Sequence, residues 1–563
     1  MVERLQLRHL DIGKIDSKHE LIHGSNEENL KFIDSFLLPQ NIDISKFINT
    51  SHFEYHFIKG LKGTGKTCLL RYISLEIDKR DHSYSTFILF KSELKDYKSE
   101  LAKSANRIAV VNNIDENSFD DMDENNIHTK EIDPKEIDPS ELRYTRVIDY
   151  GILWDWIIHK KIVDTIEKEN IDVFKKDLYW EYYSSCVKAI ATIAEEKSRL
   201  IPIIKNGSIE ISSNLRELIG VKLNLNISPS AKTIRFQELI TKINRLYLNL
   251  SKGKENLYVL FDELEPTPFP RKAYKRDVAL IRDLISSINW FNISQGKNPN
   301  IFLIAAIRSE VLNVVDGLGK ENNKLTHDFG IEISWKNPTE RTVDHPLLKV
   351  LENRIKAAEK HYGYNEKQIT QDVWKDYFPK QIDNIDIRKC IISHSWYRPR
   401  DIIRLLICAK NSFPYERMIS QKVFKSIKAD YSEESWKELC EELRLSYTSK
   451  ELELIEEILN EYKREFSFEE ITDHITNIQS TNKSFDDFLK THSIRTILED
   501  LYRVGVLGNV YWQDGKKRYS FIYNSRKKIL LNHQIIIHKG LLPYFFIEES
   551  DKVVMQNKVP LQK

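Results

Sequence analysis

Apolar residues fall along this chain in two patterns. Unbroken runs, as at 257–261 and 301–307, read as short strands buried on both faces. Aromatic and β-branched stretches add three more strands: "FEYHFIKG" at 53–60, "SYSTFILFK" at 83–91 and "FGIEISW" at 329–335. Between them the spacing changes to threes and fours. "KTCLLRYISLEIDKR" places Leu69, Leu70, Ile73 and Ile77 on one helical face, and "RDVALIRDLISSINWF" is a second such helix. Strands alternating with helices predict an α/β core of about five parallel strands.

The pattern also predicts how the rest is arranged. Residues 144–250 read as a helical insertion into a core spanning 1–335. Ahead of it, 112–141 is acidic, poor in apolar residues and twice reads "KEIDP", as expected of a solvated loop. Residues 336–445 read as a helical lid. There "DHPLLKVLENRIKAAEKHYG" turns Leu347, Leu348, Leu351 and Ile355 inward with Arg354 beside them. Residues 446–563 give helical patterns and then a hairpin, with Val510, Tyr511 and Trp512 before the turn in "QDGKKRYSF" and Tyr519, Phe521 and Tyr523 after it. Three helices followed by a two-stranded wing predict a winged-helix domain.

Candidate chemistry sits where strands end. "GLKGTGKT" fits G-x-x-x-x-G-K-[ST], with Gly60, Gly65, Lys66 and Thr67 in the fixed places. Gly63 and Gly65 let the backbone bend so that successive N–H groups, those of Thr64 and Cys68 among them, point at phosphate oxygens. Lys66 brings a mobile charge to the phosphates, and the Thr67 hydroxyl can ligate Mg²⁺. A strand before the loop and a helix after it place the site at the positive end of a helix dipole. The run at 257–261 ends in Asp262 and Glu263, which suit metal holding and activation of the attacking water; Glu265 competes for the second role. The strand at 301–307 ends abruptly at Arg308, beyond the carboxyl end of the sheet where ligands bind, so Arg308 could sense a γ-phosphate; an ordinary ion pair with a nearby carboxylate is the plainer reading. "WYRPRD" sets Arg398, Pro399, Arg400 and Asp401 at a helix start. Cations there oppose the dipole, so Arg398 and Arg400 are expected to answer an anionic group and, from a helical lid, to reach the nucleotide. A guanine-reading N-K-x-D is wanting, since "NKSF" at 482–485 lacks the Asp; ATP with Mg²⁺ is the expected ligand.

Composition narrows the class. Eighty-five basic and 84 acidic side chains give a net charge of +1, so no global field draws the chain to nucleic acid or membrane. Local patches remain open: Lys516, Lys517 and Arg518 on the hairpin, with Arg526, Lys527 and Lys528 after it, could grip DNA phosphates. The predicted groove helix, near 494–503, carries Glu499 and Asp500, which argues against base reading. Five scattered cysteines without metal-ligand spacing suit a reducing cytoplasm. No apolar run approaches the ~20 residues of a membrane span.

Taken together, "GLKGTGKT", "YVLFDE", "FLIAAIRSE", "LENRI" and "WYRPRDIIRLL" resemble bacterial P-loop ATPases of the AAA+/STAND side of that superfamily, related to KAP-type NTPases. The resemblance implies Walker A roles for Lys66 and Thr67 and Walker B roles for Asp262 and Glu263. It implies a first sensor at Arg308 and a lid motif at Arg398 and Pro399, although Tyr397 stands where STAND lids typically carry Gly two residues before the proline. It further implies an ATP-hydrolysing switch or remodeller in bacterial antiphage defence. Such a switch acts with a partner effector and is compatible with a homo-oligomer. The rival expectation is an ATP-responsive DNA-binding regulator.

Overall fold

Five strands make the parallel sheet: β1 (Phe57–Gly60), β2 (Ser83–Leu89), β3 (Asn256–Leu264), β4 (Ile301–Arg308) and β5 (Gly330–Glu332). In this computed structural model they lie in the order β2-β3-β4-β1-β5, with every pairing parallel. β3 and β4 are buried almost throughout, as unbroken apolar runs require. The structure describes residues 3–14, 25–111, 149–211, 216, 232–268, 270–295, 300–318, 321–335, 342–444, 446–523 and 528–548. The acidic stretch 112–141 lies outside them, as do Arg526 and Lys527.

The chain divides into two compact units. One comprises 41–62 and 66–333; the other comprises 1–40, 63–65 and 334–563. Residues 1–40 thus group with the later part of the chain, where the sequence placed them in the core. Their apolar positions explain this: Leu5, Leu7, Leu10 and Ile12 are buried, and the Leu7 and Arg8 amides donate to the Glu416 and Pro414 carbonyls at 2.7 and 2.9 Å.

In the sheet unit, the helix Lys66–Asp78 buries Leu69, Leu70, Ile73 and Ile77 fully. The 24-residue helix Arg271–Ser294 precedes β4. The insertion contributes the helices Gly151–Lys168, Leu178–Glu195 and Phe236–Leu248. It is not purely helical: Ile204–Lys205, Ser208–Glu210 and Thr233–Arg235 form a small antiparallel sheet. Strands of two or three residues are too short to show a period of two. The insertion shares one core with the sheet, and the Trp154 indole N–H donates to the Leu280 carbonyl at 2.8 Å. Asp283 locks the entry: its buried carboxylate accepts from the Tyr150 amide at 2.7 Å and from the Arg282 guanidinium at 2.6 and 2.7 Å.

The other unit is mostly helical, with Pro346–Tyr362, Ile387–His394, Pro399–Ser412 and Lys428–Leu443 leading into four further helices between Ser449 and Val504. Proline opens the first and third of these helices, a position where its missing N–H costs nothing. The C-terminal hairpin, β7 (Leu507–Gln513) with β8 (Lys516–Ser520), turns on Asp514 and Gly515, both at positive φ. It is not a free two-stranded wing. β9 (Ile535–Ile537) pairs with β7, and β6 (Glu465–Phe466) pairs with β9, making an antiparallel sheet of four.

Replacing Asp283 by Ala removes the carboxylate that faces both the buried Arg282 guanidinium and the buried Tyr150 amide. The expected loss is about 3 kcal/mol or more of unfolding free energy, read from denaturant midpoints.

Candidate functional site

The loop after β1 has the geometry its glycines allow. Gly63 and Gly65 sit at φ +80° and +97°, values that suit glycine and strain other residues. Lys66 opens the following helix and folds back, so that Nζ donates to the Gly60 and Leu61 carbonyls at 2.8 Å each. Burial pushes the Lys66 ammonium down to about 8, against the opposing pull of Glu310. The Lys62 amide donates to the Glu310 carboxylate at 3.4 Å. A desolvated cation whose partners are two neutral carbonyls is poised to accept an anion.

The acidic strand shows something its apolar pattern did not. Pairing of β3 with β4 runs regularly to Phe261 opposite Ala305, then resumes at Leu264 opposite Ile307, so one extra residue bulges from β3. Glu263 lies in that bulge at φ +58°. Bulges commonly re-aim side chains beside active sites. Here the bulge separates the duties of two neighbouring acids. Asp262 is 4% exposed and hydrogen-bonded by Thr67, and its Oδ2 is buried with no hydrogen-bond partner. Burial raises its carboxyl to about 6. A buried oxygen left open beside a threonine hydroxyl fits a hard divalent cation. Glu263 is engaged: its Oε2 accepts from the Ser92 amide at 2.7 Å and the Ser92 hydroxyl at 2.5 Å.

Arg308, at the end of β4, pairs with Glu265, which also takes an ion pair from Lys91 at 3.4 Å. Burial would raise the Glu265 carboxyl, but Arg308, Lys91 and Lys62 together hold it down at about 2. Glu265 is thus committed to cations, whereas Glu263 accepts only from neutral donors. The plainer reading of Arg308, a strand-end ion pair, describes its present state.

The remaining loop residues, Gly63–Gly65, group with the other unit. There the Trp335 indole N–H donates to the Thr64 carbonyl at 2.9 Å. A Cβ on Gly63 would meet Arg398 Cδ at 3.3 Å and Arg400 Cβ at 3.4 Å. In the structure both arginines face carboxylates. Arg398 pairs with Glu442 at 3.2 Å, and Arg400 with Glu438 at 2.5 Å. Cys68 lies half-buried in the first turn after Lys66. Sequence reading missed Ser92, Trp335, Glu310, Glu438 and Glu442. Ser92 alone carried a signal, since it follows the end of β2 on the edge where ligands of parallel sheets bind.

Residues 345–440, about a sixth of the chain, match the family model of the FunZ-associated C-terminal helical domain. That segment begins beside the N-cap of the helix Pro346–Tyr362 and ends within Lys428–Leu443, so it contains Arg398, Arg400 and Glu438. No curated protein matches the chain. Among solved structures it aligns with the Aeropyrum pernix ORC1 protein in complex with DNA, at 13% identity and a TM-score of 0.31, covering 92% of this chain and 93% of that one. A TM-score that low does not establish a shared fold. Among the described residues no helix is long and apolar enough to cross a membrane.

Ser92→Ala removes the hydroxyl donor that holds Glu263 and leaves the phosphate loop untouched. Expected is a loss of about 1 to 2 kcal/mol of unfolding free energy, from one charge-assisted hydrogen bond, read from denaturant midpoints.

Proposed function

We propose that the chain binds Mg²⁺–ATP at residues 60–67 and hydrolyses it, working as an ATP-driven switch or remodeller. The observation that carries the reading is the pairing of a half-buried ammonium with a buried carboxylate oxygen, two groups with complementary needs. Lys66 is an ammonium without an anionic partner in contact, and Asp262 Oδ2 is a carboxylate oxygen with no donor. On this reading Lys66 leaves the Gly60 and Leu61 carbonyls for phosphate oxygens, while Thr67 and Asp262 hold the metal. Glu263, released from Ser92, takes a proton from water. Arg308, released from Glu265, neutralises charge at the γ-phosphate. The metal, when bound, supplies charge neutralisation across the β- and γ-phosphates.

The finer role, a component of bacterial antiphage defence acting with a partner effector, is supported by the motif resemblance alone. One pair of substitutions tests the chemistry. Lys66→Ala should weaken ATP binding by about tenfold or more. Glu263→Gln should keep binding while turnover falls by about a hundredfold or more. Equal ATP binding by wild type and Lys66→Ala would sink the nucleotide reading. For the finer role, wild type but not Lys66→Ala should protect a culture challenged with phage.

A DNA-binding regulator is the second reading, favoured by the C-terminal hairpin. Trp512 is 70% exposed there, opposite Lys517 in the register, with Lys516 and Arg518 exposed on the same strand pair and Lys528 exposed nearby. Exposed aromatic and cationic side chains together suit a nucleic-acid backbone. Lys517 is less available, being paired with Glu465 at 2.6 Å, and Arg495 and Arg503 of the helix Ile494–Val504 pair with Glu499 and Asp500. If the hairpin grips phosphates, neutralising Lys516 and Arg518 should lower the slope of log affinity against log salt by about two. A salt titration that keeps its slope removes this reading.

A further inference from the structure

The helix Phe236–Leu248 of the insertion has two faces. Phe236, Leu239, Ile240, Ile243 and Tyr247 are buried in the core it shares with the parallel sheet. The opposite face carries Arg235, Glu238, Lys242 and Arg245, and all four line one cavity of about 510 Å³. Two further walls come from Ile108, on the helix Lys98–Val111, and from Gly207, at the turn between Ile204–Lys205 and Ser208–Glu210. A space of that size and shape suits a small organic ligand. All of these residues belong to the sheet unit.

The cations of the cavity are uncommitted. Among the described residues Arg235, Lys242 and Arg245 make no ion pair. Glu238 follows Arg235 by three residues and precedes Lys242 by four, a spacing that joins Glu433 to Lys437 elsewhere in the chain. Here neither pair forms. Three cations against that one carboxylate leave an excess of two positive charges. The helix start adds to them: no side chain caps it, and the Phe236 amide turns to the Gly207 carbonyl at 2.9 Å. Arg235 stands at this positive end, where a cation is unfavourable until an anion joins it. Arg235 and Arg245 lie about 15 Å apart along the helix, so a ligand that meets all three cations carries its charge on more than one group.

We propose that this cavity binds a small molecule bearing two or more phosphate groups. Lys242 and Arg245 meet one end of it, and Arg235 with the open helix start meets the other. Glu238 weakens the binding by repulsion and so tunes it. The site is separate from residues 60–67 and does not rest on nucleotide binding there.

The test is calorimetric titration of metal-free inorganic tripolyphosphate into the full chain carrying Lys66→Ala, so that residues 60–67 contribute little. One molecule per chain is expected. Lys242→Gln and Arg245→Gln should each weaken it by about tenfold, whereas Lys242→Arg, which keeps the charge, should retain it. Glu238→Gln should tighten it by about threefold. Lys197→Gln removes an exposed cation of the same insertion outside the cavity and should change nothing. Thermal midpoints alongside show that each variant is folded; the exposed Arg245 gives one that should not move. No binding to the Lys66→Ala chain, or binding that Lys242→Gln and Arg245→Gln leave unchanged, overturns the proposal. An equal loss in Lys197→Gln marks diffuse attraction and also overturns it. So does displacement by poly-glutamate at matched charge, which gives the cations to an acidic polypeptide. A short oligothymidylate that binds more tightly through the same cations gives them to a nucleic-acid strand, and the small-ligand assignment falls.

Discussion

An ammonium taken out of water and given only carbonyl oxygens is the constraint from which the rest of the sheet unit follows. Lys66 is half-buried, because the loop bends at two left-handed glycines and the next helix starts at once. A buried charge is costly unless it is answered, and backbone dipoles answer it incompletely. The surrounding acids are arranged so that none takes the vacant role. Glu310 sits on the Lys62 amide, Glu265 on Arg308 and Lys91, Glu263 on Ser92, and Asp262 on Thr67. Each carboxylate has a donor other than the lysine on at least one oxygen, while Asp262 keeps its Oδ2 open.

The helical unit solves a related problem by other means. Three arginines crowd the first turns of one helix, where the backbone dipole repels them, and three acids on the same and a neighbouring helix offset them. The result is neutral in sum but uneven in strength. Sealed pairs resist exchange, whereas a shared carboxylate yields one partner at small cost. Burial, more than distance, decides which of these contacts can take part in a cycle.

What could be read from the chain follows the reach of each signal. The phosphate loop, the acidic strand end and the arginine pair before a helix each need only a handful of consecutive residues, and in the structure Asp262 faces Thr67 and Lys66 while Lys66 feels Arg308. The alternation of strands and helices likewise told the parallel sheet, because β3 and β4 are buried on both faces. What escaped depends on partners distant in sequence. Ser92 meets Glu263 across two strands, Glu438 meets Arg400 across two helices, and neither choice leaves a local trace. The bulge at Glu263 escaped for another reason: "VLFDEL" reads the same whether or not one residue is looped out. The small sheet in the insertion and the buried N-terminal leucines lack any period to detect.

The grouping of residues 3–14 with those after 334 has a bearing on how the protein is made. As the chain leaves the ribosome, the sheet unit, nearly all of it within 41–333, is complete while its companion still lacks most of its helices. The Leu7 and Arg8 amides must wait for the Glu416 and Pro414 carbonyls to be synthesised before they find their partners. Domains tend to fold as units during synthesis. Buried apolar residues near Leu5 therefore belong to the unit that is completed second.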